Sequence, residues 1–184
     1  MSAGPDVSLC LTNNRRSDND LVVYDSPDKL INQISLYAAR CTLIESQEAS
    51  WFYGTGSEHC VMYQYQLNKA KNVYLGHIQS ETPYYQPSPV APYPFDGAKP
   101  MAADPSFAEC TTEGCKAAWG LRVIDSEKIT IHGSGLYSFF QEYYQDCVET
   151  HDCQERILEV KGSKDVAIFN LFTVATIQIA SGIE

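Results

Sequence analysis

The sequence predicts an all-β protein built by repetition, and three observations carry that expectation. Lys71-Asn72-Val73-Tyr74-Leu75, Glu127-Lys128-Ile129-Thr130-Ile131 and Lys164-Asp165-Val166-Ala167-Ile168 share one grammar. Each is a polar pair, a β-branched residue and then alternation, the two-residue period of a strand. Asn32-Gln33-Ile34-Ser35-Leu36 is a looser fourth copy. No segment sustains helical periodicity. Short strands recurring after polar turns suit a β-solenoid, in which stacked repeats bury one continuous core. An ordinary β-sandwich would satisfy the same strand density.

Taken in order, Val61-Met62-Tyr63-Gln64-Tyr65 and Val73-Tyr74-Leu75-Gly76-His77-Ile78 read as alternating strands. Pro83 to Pro105 reads as a loop, because its seven prolines remove backbone donors and cannot sit inside a parallel ladder. Tyr84, Tyr85, Tyr93 and Phe95 are interleaved with them, so the loop either walls a cleft or packs its rings on the strands. Gly133-Ser134-Gly135 lacks the lysine and the helix of a phosphate cradle and reads as a turn between strands. His77 reads as a packed or surface histidine, and Trp119 as core.

With 184 residues the chain is large enough for one domain with a sizeable core. A net charge of −10 offers no basic patch for nucleic acid or an anionic membrane surface. No apolar run approaches the ~20 residues that span a bilayer. Met1 to Cys10 has neither the basic start nor the apolar stretch of a signal peptide. Seven cysteines are present. Cys110 and Cys115, and Cys147 and Cys153, are close enough to close as local disulfides of an extracellular protein. A zinc site using them with His151 fits no ordinary ligand spacing. Cys10, Cys41 and Cys60 show no obvious partners.

Two carboxylates stand out. Glu58 lies in Gly-Ser-Glu-His and Glu81 in Gln-Ser-Glu-Thr-Pro, 23 positions later, both amid tyrosines. In a solenoid whose repeats slightly exceed twenty residues, Glu81 returns above Glu58 on the next layer. At a strand spacing of ~4.8 Å the two would repel and one pKa would rise. Paired acids beside aromatic faces are the equipment of glycoside cleavage. The stacking distance favours a retaining geometry; an inverting one needs roughly 6.5–9.5 Å.

The block Trp51 to His59, with Tyr63 to Gln66 and Gln79 to Pro87, resembles the second half of the fungal exo-β-1,3-glucanases of glycoside hydrolase family 55. The likeness continues through Trp119 to Arg122, Gly133 to Gln141, Gln145 to Cys147, Cys153 to Arg156 and Asn170 to Thr173. It covers residues 30 to 176 in order. The resemblance implies a right-handed parallel β-helix of the pectate-lyase type over 30–184, with a loop at 83–105 and a poorly matching segment at 1–29. It implies release of glucose from the ends of β-1,3-glucan with inversion, outside the cell, with no cofactor and no metal. By the same resemblance Glu81 is the general acid, Glu58 helps orient the attacking water, and Tyr84 lines the sugar site. Gln79 and His59 flank the acids, and His59 is equally a structural hydrogen-bond partner. Trp51 either stacks on sugar or is core. The four loop cysteines match loop cysteines of the family.

The match has gaps. Family members carry two β-helix domains side by side, and the first supplies polar residues that hold the water. Asp20 to Pro27 does not preserve the family's Trp-Thr-Ala-Asp-His-Asp block, and Cys41, Cys60 and Gly56 replace other residues. The expectation is a fragment, incomplete at both ends, whose partner is that first domain. Two other readings follow: a non-catalytic glucan-binding remnant, and a polysaccharide lyase, for which the calcium-binding acidic cluster is missing.

Overall fold

The computed structural model describes residues 35–182 apart from 102, so Cys10 and the 1–29 segment lie outside the described residues. Nine strands form in chain order: β1 (Ala38–Ile44), β2 (Ser50–Gly56), β3 (Cys60–Asn68), β4 (Lys71–Glu81), β5 (Trp119–Ile124), β6 (Glu127–Tyr137), β7 (Gln154–Lys161), β8 (Lys164–Val174) and β9 (Thr176–Ser181). The chain alternates between two sheets. One has the order β1-β3-β5-β7-β9 and the other β2-β4-β6-β8. Every pairing between these strands is parallel. No helix among the described residues is long and apolar enough to cross a membrane.

The repeated grammar becomes register. Lys71, Glu127 and Lys164 lie opposite one another, as do Val73, Ile129 and Val166. The second member of each polar pair, Asn72, Lys128 and Asp165, has φ near +55° (55°, 57° and 53°). That left-handed backbone breaks the strand and turns the chain into the next one; Asn and Asp tolerate it best. The fourth strand in this column is β2, with Ser50 opposite Val73. Asn32 to Ile34 lie outside the described residues, and Ser35 and Leu36 precede β1 without strand structure.

A second left-handed column runs through Gly54, His77, Gly133 and Asn170, midway along β2, β4, β6 and β8. Gly133-Ser134-Gly135 therefore lies inside β6 and bends it, rather than turning between strands. Inward-facing residues of both sheets share one core, including Leu67, Leu75, Leu121, Ile129, Ile131, Leu136 and Ile157.

The β4–β5 connection carries the proline-rich stretch, and it is packed. Tyr85, Ala91 and Phe107 cover Val61, Met62, Tyr63 and Trp119, which explains why β3 is buried on both faces. Gln86 fastens it: its Nε2 donates to the Val61 carbonyl (3.0 Å) and its Oε1 accepts from the Ala118 amide (2.8 Å). Arg40 of β1 grips Asp104 from the other side through Nε (2.6 Å) and Nη2. Trp119 is core, as its setting predicts. Between β6 and β7 a short helix, α1 (Asp146–Thr150), is closed by the Cys147–Cys153 disulfide.

Candidate functional site

Parallel register delivers the two acids. Gly56 pairs with Gln79, and the ladder continues past β2: the Ser57 amide donates to the Gln79 carbonyl (3.1 Å) and the His59 amide to the Glu81 carbonyl (3.0 Å). Glu58 thus stands opposite Glu81, at the 23-residue offset of the sequence. His59, with φ of 62°, then redirects the chain into β3. Glu58, His59 and Glu81 each present a ligand-type atom, and these lie within 4.8 Å of one another. A cation would fit that spacing, as would proton exchange.

Three donors converge on Glu81. Tyr84 Oη donates to its Oε2, Gln79 Nε2 donates to its Oε1 (3.2 Å), and His59 Nε2 stands 3.5 Å from Oε2. Burial of Glu81 raises its pKa, but the bonds from His59, Tyr84 and Gln79 outweigh burial and hold it below the ordinary value. At Glu81 the donors thus prevail and hold the resting group as a carboxylate. Tyr65 lies close by, its hydroxyl bonded to Thr55 (3.0 Å); burial lifts it to about 12, and the Glu58 charge adds to the rise.

Tyr84 is buried, with its ring 4.4 Å from His59 and 4.0 Å from Phe140 between centroids. Its ring is buried against these neighbours, so its hydroxyl, rather than an open ring face, reaches the site. Gln79 and His59 join the group. Trp51 does not: it lies at the start of β2, 64% exposed, with Tyr74 opposite it, which removes the core alternative. Phe140 and the stacked pair Tyr137–Phe139 (5.3 Å), with Tyr137 opposite Glu81, received no role from sequence reasoning. Their sequence signals were aromatic clustering after Gly135 and their place in the Gly133 to Gln141 block of the likeness.

Cysteine pairing holds one correction. Cys110–Cys115 and Cys147–Cys153 are disulfides, and so is Cys41–Cys60. The last joins adjacent strands β1 and β3, where Ala38 pairs with Cys60, so its partners are near in space and 19 residues apart in sequence. Spacing alone exposes only the local pairs. Cys60 follows His59 directly, and the buried Gln64 side chain clasps both its amide (2.9 Å) and its carbonyl (2.8 Å). The turn carrying Glu58 and His59 is therefore anchored on both sides.

The chain is 46% identical over 167 residues to a probable glucan endo-1,3-beta-glucosidase of Arthroderma benhamiae, covering 90% of this chain and 18% of that protein. A glucan 1,3-beta-glucosidase of Cochliobolus carbonum is 38% identical over 164 residues, 86% of this chain and 19% of its own. The chain is a homologue of fungal 1,3-β-glucan glucosidases. It spans about a fifth of the length of these glucosidases. A Penicillium expansum protein named non-secreted LysM effector LysM15 is 42% identical over 154 residues, 83% of this chain and 10% of its own. No protein-family profile matches the chain.

Proposed function

We propose that this chain carries the acid/base pair of a glycoside hydrolase acting on β-1,3-glucan. The observation that supports this most is the convergence of Glu58, His59 and Glu81 at the end of β4, in a homologue of proteins named for that substrate. In this reading the two sheets are faces of a right-handed parallel β-helix formed by the described residues, which the strict alternation of strands between them favours.

Glu81 donates a proton to the departing glycosidic oxygen as that bond breaks, and Glu58 orients the attacking water and takes its proton as the new C–O bond forms with inversion, freeing glucose from chain ends. At rest Glu81 is a carboxylate. An arriving sugar expels water and competes for the Tyr84 and His59 bonds, which raises its proton affinity and arms it. The nearest atoms of the acids lie within 4.8 Å, short of the roughly 6.5–9.5 Å of an inverting pair, so inversion requires the two side chains to part and admit the water. The polar residues completing its cage belong to the neighbouring β-helix domain. Three disulfides fit an oxidising, extracellular compartment.

Reducing-sugar release from laminarin tests the assignment. Glu81→Gln is expected to lower it by a factor of about 10² or more, the usual worth of a positioned proton donor. Unchanged release would remove Glu81 from the role. A second reading, glucan binding without turnover, is favoured by the effector name of one relative and by the ionised resting state of Glu81. Laminarin binding without release by the unaltered chain would select it.

A further inference from the structure

The bend in the β2-β4-β6-β8 sheet opens a groove of about 420 Å³ on its outer face, lined by His77, Gln79, His132, Gly135, Asn170 and Phe172. We infer that this groove is a second sugar site, taking a neutral hexose unit of the same glucan beyond the one held at Glu58 and Glu81. The inference rests on the glucan reading above.

The groove exists because of backbone geometry. His77, Gly133 and Asn170 stack in left-handed conformation, with φ of 54°, 74° and 55°, and crease the sheet. The floor stays bare because a Cβ on Gly133 would stand 3.0 Å from His77 Nδ1, and one on Gly135 would stand 2.5 Å from the Tyr137 hydroxyl. The walls are polar and aromatic together. Phe172 is 65% exposed, and Phe169, 51% exposed, lies 6.0 Å from the His132 ring.

A hexose needs a flat apolar partner for its C–H face and donors and acceptors for its hydroxyl rim. Phe172 supplies the first; His77, His132, Asn170 and Gln79 supply the second. The volume lies in the range of small-ligand sites. No Lys, Arg, Asp or Glu lines the groove, which selects a neutral sugar over a uronate. Continuity fixes the polymer. Gln79 both lines the groove and bonds Glu81, and the two-residue step from one to the other spans about 6.6 Å of strand. One chain can therefore occupy both places.

Calorimetric titration with β-1,3-linked oligosaccharides of two and five units tests this. The unaltered chain is expected to bind the five-unit sugar more tightly than the two-unit one. Phe172→Ala should erase about tenfold of that gain and leave two-unit affinity alone, since one ring contact is worth up to ~1.5 kcal/mol. His132→Ala should lose part of the same gain, and far-UV circular dichroism establishes that both variants fold. Equal five-unit affinity in the two folded variants and the unaltered chain would overturn the groove and leave the glucan reading standing. Binding of neither sugar by the unaltered chain would overturn both.

Discussion

At the scale of single residues, Tyr84 controls how readily Glu81 takes a proton. Its hydroxyl donates more strongly to the ionised carboxyl than to the neutral acid, so it depresses the Glu81 pKa together with His59 and Gln79. Tyr84→Phe removes that donor while keeping the ring between His59 and Phe140. The Glu81 pKa then rises, and the protonated form survives to higher pH. The basic limb of the pH dependence of kcat/KM should move upward, by up to about one unit for a hydrogen bond worth ~1–1.5 kcal/mol. A limb that stays in place would show that another group sets it. Sequence reasoning placed Glu58 and Glu81 together because a fixed offset in a parallel array is legible from spacing, and Tyr84, Gln79 and His59 joined them through the family resemblance. It did not foresee the sign of the Glu81 shift, since that depends on side-chain donors reaching across turns. For Trp51 the aromatic character was legible, while the exposure that removes its core alternative was not.

At the scale of elements, the 57–59 turn is held by β4 on one side and by the Cys41–Cys60 disulfide on the other. Replacing both cysteines by serine should lower stability by about 3 kcal/mol, the chain-entropy value for a loop of this size. A thermal melt of the double variant checks this; a loss below ~1 kcal/mol would show that Gln64 alone fixes the turn. Strands β4, β6 and β8 were readable because their polar pair marks the left-handed corner that begins each one. Strand β2 escaped the repeat because Ala49-Ser50-Trp51 lacks that signature. The bend within β6 escaped too, since Gly-Ser-Gly serves equally for a turn between strands and a crease inside one.

For the whole molecule, stability resides in the strip of apolar residues shared by the two sheets. Leu75 is fully buried there, so Leu75→Ala should cost about 2–5 kcal/mol in a urea titration. Trp51→Ala, on the open outer face, should change stability by less than ~0.5 kcal/mol. Equal losses would mean that the outer face is covered in solution. The proline-rich connection adds a second, smaller core over β3. Its composition announced a loop and left open whether its rings would pack or project; Tyr85 packs and Tyr93 projects.

The crease through Gly54, His77, Gly133 and Asn170 places three residue types on one backbone shape. His77 and Asn170 already carry side chains on this backbone, so exchanges there change what the surface displays, whereas a Cβ on Gly133 would stand 3.0 Å from His77 Nδ1 and one on Gly54 would be strained by its φ of 62°. The face a ligand would meet can therefore vary at two of these positions while the two glycines keep the frame that aims the acids.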